Sequence, residues 1–338
     1  MKVLVTGGSG FLGKWLKNYR PNWVYVSSSD YDLTSKTQCQ RMFKDVGPDA
    51  VVHLAARVGG IKDNSEKQAE YFYQNTMMNT HVIHEAYEYG VTRLLASLST
   101  CSYPDTVDCY PFIEQDFFSG PPAATNFSYG FSKRMMHVQC KSYREQYGVN
   151  YSTFCPSNLY GPGDEMDPDK SHFVSAMIKK IHEAEPGSTV KFWGTGEPLR
   201  QQLYVDDLAS SIPWILDHHN SSDPIIVAPD QNLSIREMIK SFCSIINKKV
   251  HIVFNGSLDG FVTLFYNNGQ PEWRHVYYKG NLHGISTKWN FSGKRIIEGH
   301  YENGDSVGIW RWWDENGNIK NKKKFKNRLE NKNKFSRQ

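Results

Sequence analysis

Apolar positions along the chain fall into short unbroken runs separated by longer amphipathic stretches. KVLVT (2–6) is the first run; WVYVSSS (23–29), PDAVVHLAA (48–56), RLLASLS (93–99) and VNYSTFCPSNLYGP (149–162) follow. Continuous apolar runs closed by small residues suit strands covered on both faces of a parallel sheet. Between them, KWLKNYR, residues 66–90 ending at Gly90, and Tyr129 to Tyr147 ahead of Gly148 have the length and polarity of helices. This alternation predicts a Rossmann-type, doubly wound α/β sheet.

Past residue 165 the texture is mixed. SHFVSAMIKKIHEA (171–184) predicts a helix and TVKFWG (189–194) a short strand. SIREMIKSFCSIIN (234–247) predicts a helix opened by a capping box of Ser234 and Glu237. From residue 259 the pattern changes again. DGFVTLFYNNG, HGISTKWNFSG and VGIWRWWDENG recur every 24 residues, with Gly260, Gly284 and Gly308 in one register and Gly269, Gly293 and Gly317 in another. Aromatic runs broken by Asn-Gly or Ser-Gly predict hairpins, and a fixed period predicts stacked repeats. The expected division is a dinucleotide-binding domain at 1–164, rejoined by about 195–230, and a smaller, mainly substrate-binding domain at 165–258. Hairpin repeats would fill 259–328 and a basic disordered tail 329–338.

Composition adds limits. The 338 residues are 39% hydrophobic and 22% charged, ordinary for a soluble protein. The first apolar run is too short for a signal-peptide core, and no stretch nears the roughly 20 residues that span a bilayer. A cytoplasmic protein without a membrane span is expected. Six cysteines without CxxC pairing argue against a zinc site or a disulfide framework, and no metal is expected. From Lys320 onward the chain carries nine Lys/Arg and one Glu, so the overall +4 conceals a body of net −4. The basic pI thus reports a solvated tail, and no nucleic acid is expected as a partner.

The chemistry is concentrated at a few positions. Gly7, Gly10 and Gly13 follow a strand and open a helix, where backbone N–H groups can approach a pyrophosphate. The next strand ends in Ser27-Ser28-Ser29, which accept a 2′-phosphate without repulsion and favour NADP, although Asp30 is close and no arginine adjoins them. Tyr129 and Lys133 form YxxxK, one helical turn apart, so an ammonium lies near a phenol and is expected to lower its pKa. Ser99, at a strand's carboxyl end, can bond the same substrate oxygen. Cys101 follows it, either a small hydrophobic filler or an acid/base. Cys140, Cys155 and Cys243 read as inert core.

These features resemble the extended short-chain dehydrogenase/reductases through VTGGSGFLG, VVHLAA, LST, YGFSK and PSNLYGPGD. Within them, HLAARVGGIKDN, LSTCSYPD, GPPAATNFSYGFSKRMM, SNLYGPGDEMDPDKSH and WGTGEPLRQQLYVDDLA resemble the GDP-L-fucose synthase family. That resemblance implies NADPH-dependent 3,5-epimerisation and 4-reduction of GDP-4-keto-6-deoxy-D-mannose. Another nucleotide-ketosugar reductase or epimerase, or a non-catalytic dinucleotide-binding scaffold, are the alternatives. It implies catalytic roles for Ser99, Cys101, Tyr129, Lys133 and His172. For the cofactor it implies Gly7, Gly10, Phe11, Leu12 and Gly13 after the first strand, Asp32 and Leu33 after the second, and Leu54, Ala55 and Ala56 after the third. Tyr129, Lys133, Pro156, Asn158, Leu159 and His172 complete that set. Asn158, Lys180, Trp193 and Arg200 are implied for the GDP-sugar, and a homodimer through the helices at 66–90 and 129–147. The family's closing segment has basic residues soon after an Asp-Gly; here Asp259-Gly260 is followed by repeats instead. Those repeats resemble MORN-type hairpins. They read as a passive stack over an exposed edge, with a protein or membrane-surface contact as the alternative.

Overall fold

The structure, a computed structural model, describes residues 1–59, 61–105, 112–167, 171–255, 260–266, 270–278 and 281–325. Contacts divide the chain into two compact units, Met1–Thr106 with Ile113–Ala176 and Gln201–Asp230, and Met177–Arg200 with the chain from Gln231 onward.

The first unit is built on five early strands: β1 (Val3–Thr6), β2 (Val24–Val26), β3 (Ala50–His53), β4 (Arg93–Ser97) and β5 (Asn150–Pro156). A returning strand, β10 (Ile225–Val227), completes the sheet, whose order is β10-β5-β4-β3-β1-β2 with every neighbouring pair parallel. Chain order reverses between β1 and β3, the crevice where α/β sheets take ligands. The β4 strand stops at Ser97, two residues short of the apolar run, because Ser99 caps a 3-10 turn over Thr100–Ser102. One face of the sheet, with Val3, Val5, Val52, Leu95 and Phe154, packs with Leu16 of α1 (Phe11–Tyr19) and with Leu208, Ile212 and Ile215 of α7 (Val205–His218). The helices α2 (Lys36–Val46), α3 (Ile61–Glu66), α4 (Gln68–Glu88) and α5 (Phe127–Tyr147) complete this part of the chain. The run at 149–162 is two strands, since β6 (Asn158–Tyr160) leaves the main sheet to pair with β9 (Gln202–Tyr204).

A buried polar chain crosses this unit. Ala55 N donates to Thr6 Oγ1 (3.3 Å), the Thr6 hydroxyl meets His53 Nδ1 (2.7 Å), and His53 Nε2 meets Asn79 Oδ1 (3.0 Å). Asn79 Nδ2 then donates to Ser132 O (3.3 Å). A neutral ring with its proton on Nε2 donates to Asn79 Oδ1 and accepts from the Thr6 hydroxyl.

In the second unit, β7 (Thr189–Trp193) pairs in parallel with β12 (His251–Asn255), and β8 (Leu199–Arg200) pairs with β11 (Leu233–Ser234). The capping box opens α8 (Ile235–Ile245): Ser234 N donates to Glu237 Oε2 (2.8 Å) and Glu237 N to Ser234 Oγ (3.1 Å). The helix at 171–184 is α6 (Phe173–Glu183). The repeats form one antiparallel meander through β13 (Gly260–Phe265), β14 (Pro271–Tyr278), β16 (Gly284–Trp289), β17 (Arg295–Glu302), β18 (Asp305–Trp313) and β19 (Ile319–Phe325), with β15 (Asn281–Leu282) beside β14. Their 24-residue period is structural. Backbone bonds Tyr266 N to Gln270 O, Asn290 N to Lys294 O and Asp314 N to Asn318 O close equivalent turns, and register shifts recur after Leu264, Lys288 and Trp312. Gly293 and Gly317, at φ +82° and +84°, occupy matching left-handed positions in the latter two turns. Lys320–Lys324 belong to the terminal strand rather than to a loose tail; the expected tail at 329–338, Gly269 and Cys109 lie outside the described residues.

His53 is 1% exposed, and burial, helped by the Lys133 charge, pushes its pKa down to about 4. An unfolded histidine binds protons below about 6.5. Stability is therefore whole above that value and falls as pH drops toward 4, by up to about 3 kcal/mol from this ring. Urea midpoints at pH 7 and pH 5 should show His53→Gln losing less between them than the parent protein; equal losses would contradict the role given to His53.

Candidate active site

The turn after β1 is closed to side chains. Gly7 sits at φ +71°, and Gly10, the N-cap of α1, donates its N–H to Gly7 O (3.0 Å). A Cβ on Gly7 would lie 2.8 Å from Ala55 N, and one on Gly13 2.5 Å from Gly7 O. Gly8, which the triplet spacing does not mark, is equally constrained: its Cβ would lie 2.7 Å from Tyr25 Cβ. Phe11 and Leu12 are half-buried in the first turn of α1, which has no capping side chain and no acidic residue. A dinucleotide's pyrophosphate fits such a cradle. Across the crevice, Leu54, Ala55 and Ala56 leave β3 half-buried.

At the end of β2 the Ser27 amide and hydroxyl both donate to Asp30 Oδ2 (2.8 Å each), which holds that carboxyl below its usual range. An arginine does reach this turn. Arg41 of α2 donates to Asp30 O (3.2 Å) and lies over the Tyr31 ring (5.0 Å). Asp32 accepts from the Thr34 amide and hydroxyl, and Leu33 is buried with its carbonyl facing His81 (3.2 Å).

The structure brings Ser99, Cys101, Tyr129 and Lys133 together. Lys133, 2% exposed on α5, donates from Nζ to Ser97 O (2.8 Å), the last residue of β4. The same Nζ lies 5.8 Å from the Tyr129 ring centroid. Ser99 Oγ accepts from Cys101 N (3.3 Å), and the Ser99 hydroxyl lowers the pKa of both the Tyr129 phenol and the Cys101 thiol. Burial outweighs that help, and both groups end above their ordinary values.

The expected lowering of Tyr129 by Lys133 is therefore not found. Desolvation drives Lys133 itself down to about 8, so it surrenders its proton before the phenol does. Tyr129 stays protonated at neutral pH, the state a proton donor needs. Cys155 of β5 is buried, as a core thiol should be, yet its sulfur acts electrostatically on Cys101, Tyr129 and Lys133 and so borders the group.

The remaining predicted residues each have their own surroundings. His172 is exposed, its carbonyl accepting from Ala176 N (3.0 Å) at the start of α6. Among the described residues its imidazole has no hydrogen-bond or ring partner. Pro156 ends β5, with Asn158 exposed and Leu159 half-buried on β6. In the second unit, Lys180 lies over the Phe192 ring (5.1 Å), Trp193 is 87% exposed, and Arg200 donates to its neighbour Leu199 O (2.8 Å). Cys243 is half-buried on α8, not core. Among the described residues, no helix is long and apolar enough to cross a membrane.

A sequence profile described as the NAD dependent epimerase/dehydratase family matches residues 3–228. The chain belongs to that family. Among its epimerase/dehydratase relatives, a probable GDP-L-fucose synthase of Drosophila melanogaster is 35% identical over 274 residues, 76% of this chain and 83% of the relative. A GDP-L-fucose synthase of Dictyostelium discoideum is 35% identical over 265 residues, covering 75% and 82%. Among solved structures, a GDP-L-fucose synthetase of Naegleria fowleri bound to NADP superposes with a TM-score of 0.70 at 30% identity, covering 75% of this chain and 79% of that one.

Thiol accessibility tests the placement of Cys101. In native protein, iodoacetamide should modify half-buried Cys101 and Cys243 before buried Cys39, Cys140 and Cys155. Labelling of Cys101 should climb with pH through and beyond the ordinary thiol range, because burial holds its pKa up. Peptide mass spectrometry reads both; fast labelling of Cys101 at pH 7 would contradict the enclosed thiol.

Proposed function

We propose that this chain converts GDP-4-keto-6-deoxy-D-mannose to GDP-L-fucose, inverting C3 and C5 and then reducing C4. The observation that carries this reading is the joining of a buried, protonated phenol, a serine hydroxyl and a thiol around the ammonium of Lys133. A C4 carbonyl acidifies the protons on C3 and C5. Inversion needs a base on one face of the ring and an acid on the other. Cys101, held protonated by burial, suits the donor. His172, an exposed imidazole, suits the acceptor. Ser99 and Tyr129 hold the enolate oxygen. NADPH, when bound, supplies the hydride to C4. Tyr129 then gives its proton to the C4 oxygen, and the Lys133 ammonium faces the negative charge left on the phenol.

Gly7, Gly10 and Gly13 hold the pyrophosphate in this reading, and Arg41 beside Ser27 is placed for the 2′-phosphate that marks NADPH. Asn158, Lys180, Trp193 and Arg200 hold the GDP-sugar. Arg274 of β14 acts electrostatically on Arg200, which supports the repeat sheet as the source of a cation that the missing closing segment would bring. We read the hairpins as MORN-type repeats. Phe72 on α4 and Met135 and Val138 on α5 are large apolar side chains left 38%, 44% and 48% exposed, which supports a homodimer through these helices.

Purified protein should oxidise NADPH with GDP-4-keto-6-deoxy-D-mannose. Tyr129→Phe should slow this about 10²- to 10⁴-fold while leaving NADPH binding intact. In deuterium oxide without NADPH, the parent protein should label C3 and C5, and Cys101→Ser should suppress the labelling. Absence of NADPH oxidation by the parent protein counts against the reading.

A further inference from the structure

Two residues of α5 beyond the YxxxK pair bear on the same chemistry. Gly130 follows Tyr129, and a Cβ there would lie 2.5 Å from Cys101 O and 2.8 Å from Pro122 Cβ. Glycine inside a helix costs about 1 kcal/mol relative to alanine. Its use here lets the Cys101 backbone lie against the helix. One turn later, Arg134 donates from Nε to Ser102 O (2.6 Å), the carbonyl next along the 3-10 turn. Residues 130 and 134 share one helical face, so the turn is held at two successive points.

The arginine is unusually placed. It is 6% exposed, and its guanidinium lies 5.8, 5.8 and 5.4 Å from the rings of Phe117, Phe118 and Phe131. Planar, delocalised charge suits stacking against aromatic faces in a way an ammonium does not. Its Nη2 and the Ser102 hydroxyl are buried without hydrogen-bond partners among the described residues. A helix that only needed packing here would be served by an aliphatic residue, since an incompletely paired buried cation is costly. What the arginine adds is a directed bond to the backbone that carries Cys101.

We propose that Arg134 and Gly130 are positioning residues for Cys101, clamping its turn to the helix that carries Tyr129 and so fixing the thiol for proton transfer at C3 and C5. This rests on the epimerase/reductase reading of the site. Neither residue is needed to hold Tyr129 or Lys133, which lie on the helix itself and are anchored through Ser97. The clamp therefore serves inversion more than reduction.

The test uses the full chain with Arg134→Met, Arg134→Lys and Gly130→Ala, each checked for unchanged NADPH binding. Iodoacetamide labelling of Cys101 reads the clamp without reference to activity. Arg134→Met and Gly130→Ala should raise its rate about tenfold, and Arg134→Lys, which keeps a donor, less. Deuterium exchange at C3 and C5 should fall about tenfold or more in the first two variants, against a smaller change in single-turnover hydride transfer to C4 when NADPH is added only after that exchange has reached equilibrium. Unaltered Cys101 labelling in both Arg134→Met and Gly130→Ala overturns the clamp, as does an equal loss of exchange and hydride transfer. Faster labelling in protein whose parent shows no exchange upholds the clamp and removes the epimerase reading instead.

Discussion

The bond from the Lys133 ammonium to the Ser97 carbonyl is the constraint on which the site depends. A charged group almost wholly shut from water must be paired or lose its proton. Here it is partly both, held to a strand-end carbonyl and lowered to about 8. The bond pins the middle of α5 to the end of β4. Once pinned, Tyr129 lies one turn back along the helix, and the chain leaving β4 has to pass it. Ser99 caps the turn that follows, and Cys101 sits in that turn with its carbonyl close against Gly130 of α5.

A second network makes the pin rigid. The chain from Ala55 through Thr6, His53 and Asn79 to Ser132 joins both sides of the cofactor crevice to the residue just before Lys133. The network ties the end of β1 and the chain leaving β3 to α5 through one buried imidazole, which burial keeps neutral at pH 7. The cradle itself is set by contacts too close for a Cβ, an arrangement that leaves backbone rather than side chains facing a ligand.

Much of this could be read from spacing. Gly7, Gly10 and Gly13 act through backbone geometry, and YxxxK acts through helical pitch, so in both cases the pattern is the mechanism. The 24-residue glycine register holds for the same reason: equivalent turns need equivalent left-handed residues. The helix α2, which buries Cys39, Met42, Phe43 and Val46, is not among the expected helices, because its polar stretch between two strands carries only this short apolar spacing. Other features depend on tertiary approach. Arg41 meets the Ser27 turn from the next helix, and His53 of β3 meets Asn79 of α4. Burial, which no spacing reports, is why the phenol is raised where proximity to a lysine suggested the reverse. Strand ends were displaced where a serine could cap a turn, as at Ser99.

The account makes Lys133 a cation that must be charged when the Tyr129 proton leaves. The most direct measurement is kcat/KM for NADPH-dependent reduction as a function of pH. Lys133 is charged below about 8 and neutral above it, so the rate should fall about tenfold per pH unit beyond that point, with the limb displaced upward in Lys133→Arg. A parent protein whose kcat/KM stays level through pH 9.5 would show that the ammonium takes no part in the proton transfer.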